Sequence, residues 1–423
     1  MKNTIKLSGI ITFICAIILC LSGCFSPYQG EGSSITISFG SSARTAAWPS
    51  ATDNGLLPAL KHRIKLTDSN GTKRNASAEG GRSAKIYVAP GEWHVEVEDW
   101  FGDFLFATGS SVDPIVVKTG QSNMVNISMT QAFTATGSFA VSNLTDWDDA
   151  RGSMTVPGNY YIFLAGDISG VSATAAGTNT FNSGAIVTIL GNKTITLSGT
   201  GSLLRIGGGQ TVTIKDVKLK RQRTSVMNTT SLVYISGGEF VMETGSSISG
   251  NTSSTDNVGG GVHINGGTLT MNGGAISGNK VENGGGVFLE NGTFNMNGGT
   301  ISGNIGTYNA GGVLIKNSGI FTMTGGTISG NKANSLSISG VYGVTGGLGG
   351  GVFVEGSGTF ALKGGTVYGN ESATAITLRN EAYDDGAALY VTPTGGAAAT
   401  WGIGTTLDTT NNTIIVVNGN RLQ

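Results

Sequence analysis

Residues 259–279 read GGGVHINGGTLTMNGGAISGN, and residues 284–304 read GGGVFLENGTFNMNGGTISGN. The phrase returns at 310–331 and, more loosely, at 349–370. Its final asparagine stands at Asn251, Asn279, Asn304, Asn331 and Asn370, so the unit is about 25 residues long. A fixed period of this size marks a stacked repeat, in which each unit buries its apolar side chains against its neighbours.

Within each unit, apolar residues alternate over short runs. Val262/Ile264, Val287/Leu289, Val313/Ile315 and Val352/Val354 make one column. Phe240/Met242, Leu269/Met271, Phe294/Met296, Phe321/Met323 and Phe360/Leu362 make a second. Ile248, Ile276, Ile301, Ile328 and Val367 make a third. Alternation with period two sends one side chain in and the next out, and such short runs are not helices. Gly-Gly and Ser-Gly-Asn lie between the runs and supply the positive φ that sharp corners need. Three short strands per unit describe one turn of a parallel coil, with turns about 4.8 Å apart and right-handed winding. The five asparagines are expected to form a ladder, each amide bonded to its equivalent on the next turn.

These columns and asparagines resemble the pectate-lyase-like right-handed parallel β-helix superfamily. The phrases at Gly273 and Gly298, with Phe294-Asn295-Met296-Asn297, are also similar to repeats of chlamydial polymorphic membrane proteins. Those carry a C-terminal translocating barrel, which is not expected in this chain. The resemblance implies the fold. For chemistry it implies that lyases of this kind use calcium-binding aspartates with a basic residue, and hydrolases clustered aspartates.

Working outward, Ile162/Leu164, Val187/Ile189, Ile195/Leu197, Leu204/Ile206 and Val212/Ile214 fit the same pattern. The β-helix is therefore expected over 155–423, in about ten turns and on the order of 50 Å long. Residues 132–154 read as linker and N-terminal cap, with a short amphipathic helix over 144–150 blocking the open edge.

Residues 35–131 hold about seven short alternating strands with turn signals at Asp68-Ser69-Asn70-Gly71, Pro90-Gly91 and Thr119-Gly120. This predicts an Ig-like or transthyretin-like β-sandwich, and 89–97 resembles strand pairs of bacterial surface sandwich modules. The whole chain is thus expected to be all-β. Trp93, Trp100 and Phe101 are candidates for a sugar-stacking platform; the alternative is sandwich core plus one exposed ring.

The N terminus is an address. Lys2 and Lys6 precede an apolar stretch over 7–21, the layout of a secretory signal peptide. The stretch ends Leu21-Ser22-Gly23-Cys24, which resembles the lipobox of bacterial lipoproteins. That resemblance implies cleavage after residue 23, acylation of Cys24 and export to the cell envelope, with Phe25 pointing to the outer membrane. The alternative is an ordinary signal peptide with a chance cysteine. Residues 24–34 read as the lipidated tether.

The remaining inventory is sparse. Cys15, Cys20 and Cys24 are the only cysteines, so the rest of the chain has no disulfide and no thiol nucleophile. His62, His94 and His263 are scattered. A net charge of -1 argues against a nucleic-acid partner. Neither a cofactor nor a metal is expected. Outward positions after the first strand hold Asn265, Glu290, Lys316 and Glu355, with Glu290 and Lys316 expected to pair. Asp384 and Asp385, opposite Arg379, form the best acidic pair, and Lys215, Lys218, Lys220, Arg221 and Arg223 form a basic cluster. Length variation is concentrated after the Ser-Gly-Asn corner, at 252–257, 280–283, 305–309, 332–348 and 371–385. Insertions stacked on one side of a repeat protein often mark its binding face.

The expected protein is a monomeric, membrane-anchored, adhesin-like binding protein without enzymatic activity, its ligand a glycan or a cell-surface protein. The alternatives are a polysaccharide lyase or glycoside hydrolase on the same scaffold, or a structural surface spacer.

Overall fold

Each turn of the repeat is too narrow to hold a core of its own, so its inward side chains must pack on the same side chains of the turns above and below. A computed structural model describes residues 32–38, 56–80, 83–222, 226–253, 259–334, 347–369, 380–382 and 388–391. It also describes the backbone of 398–401, 406–407, 415–417 and 420–422. The chain divides into two units, Met1–Phe133 and Thr134–Gln423. Strands take up 58% of the described residues, which hold one α-helix, so the fold is all-β. No helix among the described residues is long and apolar enough to cross a membrane.

The second unit is a parallel β-solenoid of about seven turns. Its first sheet stacks Leu204–Ile206, Val233–Ile235, 262–264, 287–289, Val313–Ile315, Val352–Val354, Leu389–Val391 and Ile415–Val417. The second runs from Gly137–Val141 to Ala398–Trp401. The third runs from Ile168–Ser172 to Thr406–Leu407. The sequence suggests about ten turns, and the second sheet does begin early. The turns before Leu204–Ile206 lack a first-sheet strand, however. There the chain closes across the coil through an antiparallel bridge, Thr174 to Ser202.

Register follows the like-on-like columns. Leu269 pairs with Phe294, Phe294 with Phe321 and Phe321 with Phe360. The Phe294 and Phe321 rings stack at 4.4 Å, and those of Phe321 and Phe360 at 4.8 Å. That is the spacing of parallel strands, about 4.8 Å, so the backbone sets the ring separation. One continuous buried core runs from Val141 to Val391.

At the upper end the helix Leu144–Ser153 is capped by Asn143, whose Oδ1 accepts from the Asp146 amide at 3.1 Å. It buries Trp147, whose ring meets Phe181 edge-on at 6.2 Å. At the lower end Asn420–Leu422 folds back antiparallel on Ile415–Val417 and covers that strand's free edge.

The corner glycines are set by geometry. Gly274, Gly299, Gly326 and Gly365 share positive φ near 80°, and a Cβ on Gly299 would lie 2.6 Å from the Gly274 carbonyl oxygen. Gly278 also has positive φ but open space around it. Gly299→Ala is expected to cost about 2 kcal/mol or more, and Gly278→Ala about 1 kcal/mol, the left-handed backbone alone. Chemical denaturation of the two variants reads the difference.

The described residues of the first unit hold two sheets. One is antiparallel, in the order Lys73–Glu79, Leu60–Asp68, Gly91–Phe101, Phe104–Ser110, Met129–Gln131, with Ile115–Val117 also paired to Gly91–Phe101. The other places Ser34–Ser38 between Ser83–Tyr87, antiparallel, and Ser122–Asn126, parallel. Alternation along Leu60–Asp68 buries Leu60, His62, Ile64 and Leu66. His62 belongs to this buried row: its Nδ1 lies 2.5 Å from Asp99 Oδ1 on the adjacent strand, and both side chains are fully buried.

Candidate binding surface

The corner after the third sheet is organised by asparagine. Asn279 donates through Nδ2 to Asn304 Oδ1 at 3.0 Å, Asn304 to Asn331 at 3.0 Å and Asn331 to Asn380 at 2.9 Å. At the upper end Asn228 donates to Asn251 at 2.9 Å, and the Asn251 amide donates to Asn279 Oδ1 at 3.1 Å. All six are fully or almost fully buried. Asn370, expected in this ladder, lies outside the described residues, and Asn380 takes the position beside Asn331. Asn380 Nδ2 donates to the carbonyls of Ile328 at 2.9 Å and Tyr368 at 2.7 Å. The last long insertion therefore enters ahead of the ladder residue instead of after it.

The ladder has a consequence that the sequence did not disclose. Because each asparagine is fixed, the next residue starts in register with the turn above. The amides of Lys280, Ile305, Lys332 and Glu381 donate to the carbonyls of Asn251, Asn279, Asn304 and Asn331 at 2.7–2.8 Å. From there Lys280–Asn283, Ile305–Asn309, Lys332–Ala333 and Glu381–Ala382 pair in parallel as a fourth sheet. What reads as loops of variable length is, at its root, a wall of strands. Val281 and Ala333 face inward from it and are buried.

The wall continues into the glycine phrase ahead of the first sheet, and it covers that sheet's outer side. Phe288, Leu314 and Phe353 are the middle residues of their strands and point out of the coil. They are nevertheless only 1%, 1% and 4% exposed, packed with Ala310, Leu348 and Tyr390. Period-two alternation places these residues in solvent; the unbroken apolar triplets Val287-Phe288-Leu289 and Val352-Phe353-Val354 are the signal for burial on both faces.

Toward the upper end the same outward column turns polar. The Arg205 guanidinium lies 4.2 Å over the Tyr234 ring, Tyr234 meets His263 edge-on at 5.1 Å, and His263 stacks on Phe288 at 4.7 Å. His263 Nε2 is 3.2 Å from Glu290 Oε2. Glu290 therefore engages His263 and not Lys316, while Lys316 pairs with Glu355 at 3.3 Å. The register slips next to Asn265, so residues at equal sequence offsets do not face each other.

Burial lowers the His263 pKa, with the Glu290 carboxylate opposing the shift. A lowered folded-state pKa means that the unfolded chain takes up the proton first, below the ordinary imidazole value of about 6.5. Stability carried by neutral His263 is present above that value and is lost as the pH falls below it. The urea midpoint of His263→Gln is expected to drop less between pH 7 and pH 5 than that of the native chain.

Two exposed ladders flank the second sheet. Ser318 Oγ donates to Asn291 at 3.0 Å and Asn291 to Asn265 at 3.0 Å. Thr324 donates to Asn297 at 2.8 Å, Asn297 to Asn272 at 2.9 Å and Asn272 to Glu243 at 2.8 Å. Apart from the Glu243 carboxylate that ends the second ladder, these are neutral hydroxyls and amides held at the repeat spacing.

The other candidates separate. Asp384, Asp385, Arg379, Arg223 and Cys24 lie outside the described residues. Lys218 and Lys220 are exposed on the third sheet, but Arg221 turns inward, 2% exposed, and donates to the carbonyls of Gly199 at 3.1 Å and Val226 at 2.6 Å. The basic run is therefore not one patch. Trp93 and Phe101 are buried, and Trp100 stands apart from them, its ring 4.2 Å from the Arg63 guanidinium. No family model, no curated protein and no solved structure matches the chain.

Proposed function

We propose that the chain is an exported, lipid-anchored binding protein of the adhesin type, monomeric and non-enzymatic, whose ligand is a glycan or a glycosylated cell-surface protein. The anchor is Cys24, supported by the apolar stretch over 7–21 and the Leu21-Ser22-Gly23-Cys24 ending, and the destination is the outer membrane. In this reading the two N-terminal sheets form an Ig-like or transthyretin-like sandwich, and the solenoid is a right-handed β-helix of the pectate-lyase-like kind.

The observation that carries the binding function is the fourth sheet. Segments that only filled a corner would have no need to pair strand on strand, and here they build an ordered wall on one side of the coil. Several charged groups along it and beside it are engaged with each other, Glu290 with His263, Glu355 with Lys316 and Glu381 with Lys332, while Lys280 on the same sheet stands exposed. Elsewhere on the coil, the exposed ladders that flank the second sheet present hydroxyls and amides, which match the hydroxyls of a sugar chain.

Replacing 335–346 by a two-residue turn tests this. The unfolding midpoint is expected to hold while binding to glycan-bearing surfaces weakens by about tenfold, roughly 1.4 kcal/mol. Unchanged binding by a folded variant removes the insertion that follows Lys332–Ala333 as the contact surface.

A further inference from the structure

In the first unit the two outward sheet faces differ in character. The six-stranded sheet turns out Lys61, Arg63, Lys65, Glu96 and Glu98, a solvated face of mixed charge. The three-stranded sheet of Ser34–Ser38, Ser83–Tyr87 and Ser122–Asn126 carries one charged residue, Lys85, and no carboxylate. On it Met124 is 78% exposed and Tyr87 51%. Lys85 and Met124 pair with opposite sides of Thr36, so they lie in one row across the sheet. Lys85 Nζ sits 5.3 Å from the Tyr87 ring centroid. A flexible apolar side chain, an amphipathic ring and a cation free of acidic neighbours on its own sheet are the composition of a surface that meets phospholipid headgroups.

The proposed anchor lies close to this face in the sequence. The central strand of this sheet begins at Ser34, and nine residues separate it from Cys24. Ten peptide units reach at most about 35 Å. We propose that this face docks on the phospholipid surface to which Cys24 is fixed, with Met124 and Tyr87 in the headgroup layer and Lys85 on the phosphates. The inference rests on the lipid-anchor reading of Cys24. Two side chains and one cation are too few to hold a free protein on lipid, but a short tether raises the local concentration to about the millimolar range. Docking therefore occurs only in the anchored molecule.

The test uses chain 24–423, in which Cys24 is the only cysteine. It is coupled to a maleimide lipid in vesicles of phosphatidylethanolamine and phosphatidylglycerol, so docking is read whether or not cells acylate Cys24. Acylation is read separately, from the mass of the N-terminal peptide of protein made in cells. Methionine oxidation by peroxide follows exposure and is scored peptide by peptide. Met227, 52% exposed in the solenoid unit, is the internal reference. Coupling is expected to slow Met124 oxidation by at least about fivefold relative to Met227, against the same chain blocked at Cys24 and mixed with the vesicles. The Lys85→Glu, Tyr87→Ser double variant is expected to lose that protection. Equal oxidation of Met124 in the coupled and blocked chains overturns the proposal, as does protection that survives the double substitution. So does protection in the uncoupled chain without vesicles, which would assign the face to a second copy.

Discussion

Asn304→Ala is expected to destabilise the solenoid by about 3–5 kcal/mol, because every polar atom of this buried amide is used. Nδ2 donates to the Ile276 carbonyl at 2.8 Å and to Asn331 Oδ1 at 3.0 Å. Oδ1 accepts from the Asn279 amide at 3.1 Å and from Asn279 Nδ2 at 3.0 Å. Alanine removes four bonds and strands their partners where no water reaches. Each orphaned group costs about 1–3 kcal/mol, offset in part by relaxation of the corner. Asn304→Asp keeps the acceptor but loses both donations and buries a charge, so it is expected to be at least as damaging. Urea unfolding of the soluble chain, followed by circular dichroism and tryptophan fluorescence together, checks both the size and the cooperativity of the loss. A loss under about 1 kcal/mol would show that the ladder decorates the corner without holding it.

Phe321→Ala is the second large effect, expected at about 3–5 kcal/mol. Phe321 is fully buried between Phe294 and Phe360. In a globular core, neighbours can move into such a space. Here they cannot, because the turns above and below are fixed at the strand spacing by two other sheets, so the cavity stays open. Phe321→Leu, which leaves less of a void, is expected to cost about 1–2 kcal/mol. Phe294→Ala combined with Phe321→Ala should cost less than the sum of the single losses, since the two rings share one contact.

The parts legible in the sequence are those where a turn interacts only with its neighbours. Val262, Val287, Val313 and Val352 fall in one column because each must match the turn above, and the period states this directly. What escaped is what the period does not encode. The fourth sheet lies inside segments whose lengths vary, and it becomes visible only once the ladder is seen to set their register. Tyr368-Gly369-Asn370 imitates the Ser-Gly-Asn phrase, yet the ladder position goes to Asn380, because position along a corner is decided by hydrogen-bond reach and not by sequence spacing. Phe288 and Phe353 look outward by alternation and are covered by a wall that local pattern does not reveal. His62 and Asp99 meet because two antiparallel strands place them opposite each other, a long-range pairing that leaves no mark in the sequence near either residue.

The most direct test of the binding reading uses the soluble chain with Cys24→Ser, incubated with acidic and neutral polysaccharides, with and without calcium. Each mixture is read for retained protein and for new unsaturated or reducing chain ends. Saturable, calcium-independent retention on at least one glycan, with no new ends, is the expected result. New chain ends would contradict it and make the protein a lyase or hydrolase, with Asp384, Asp385 and Arg379 the first residues to replace.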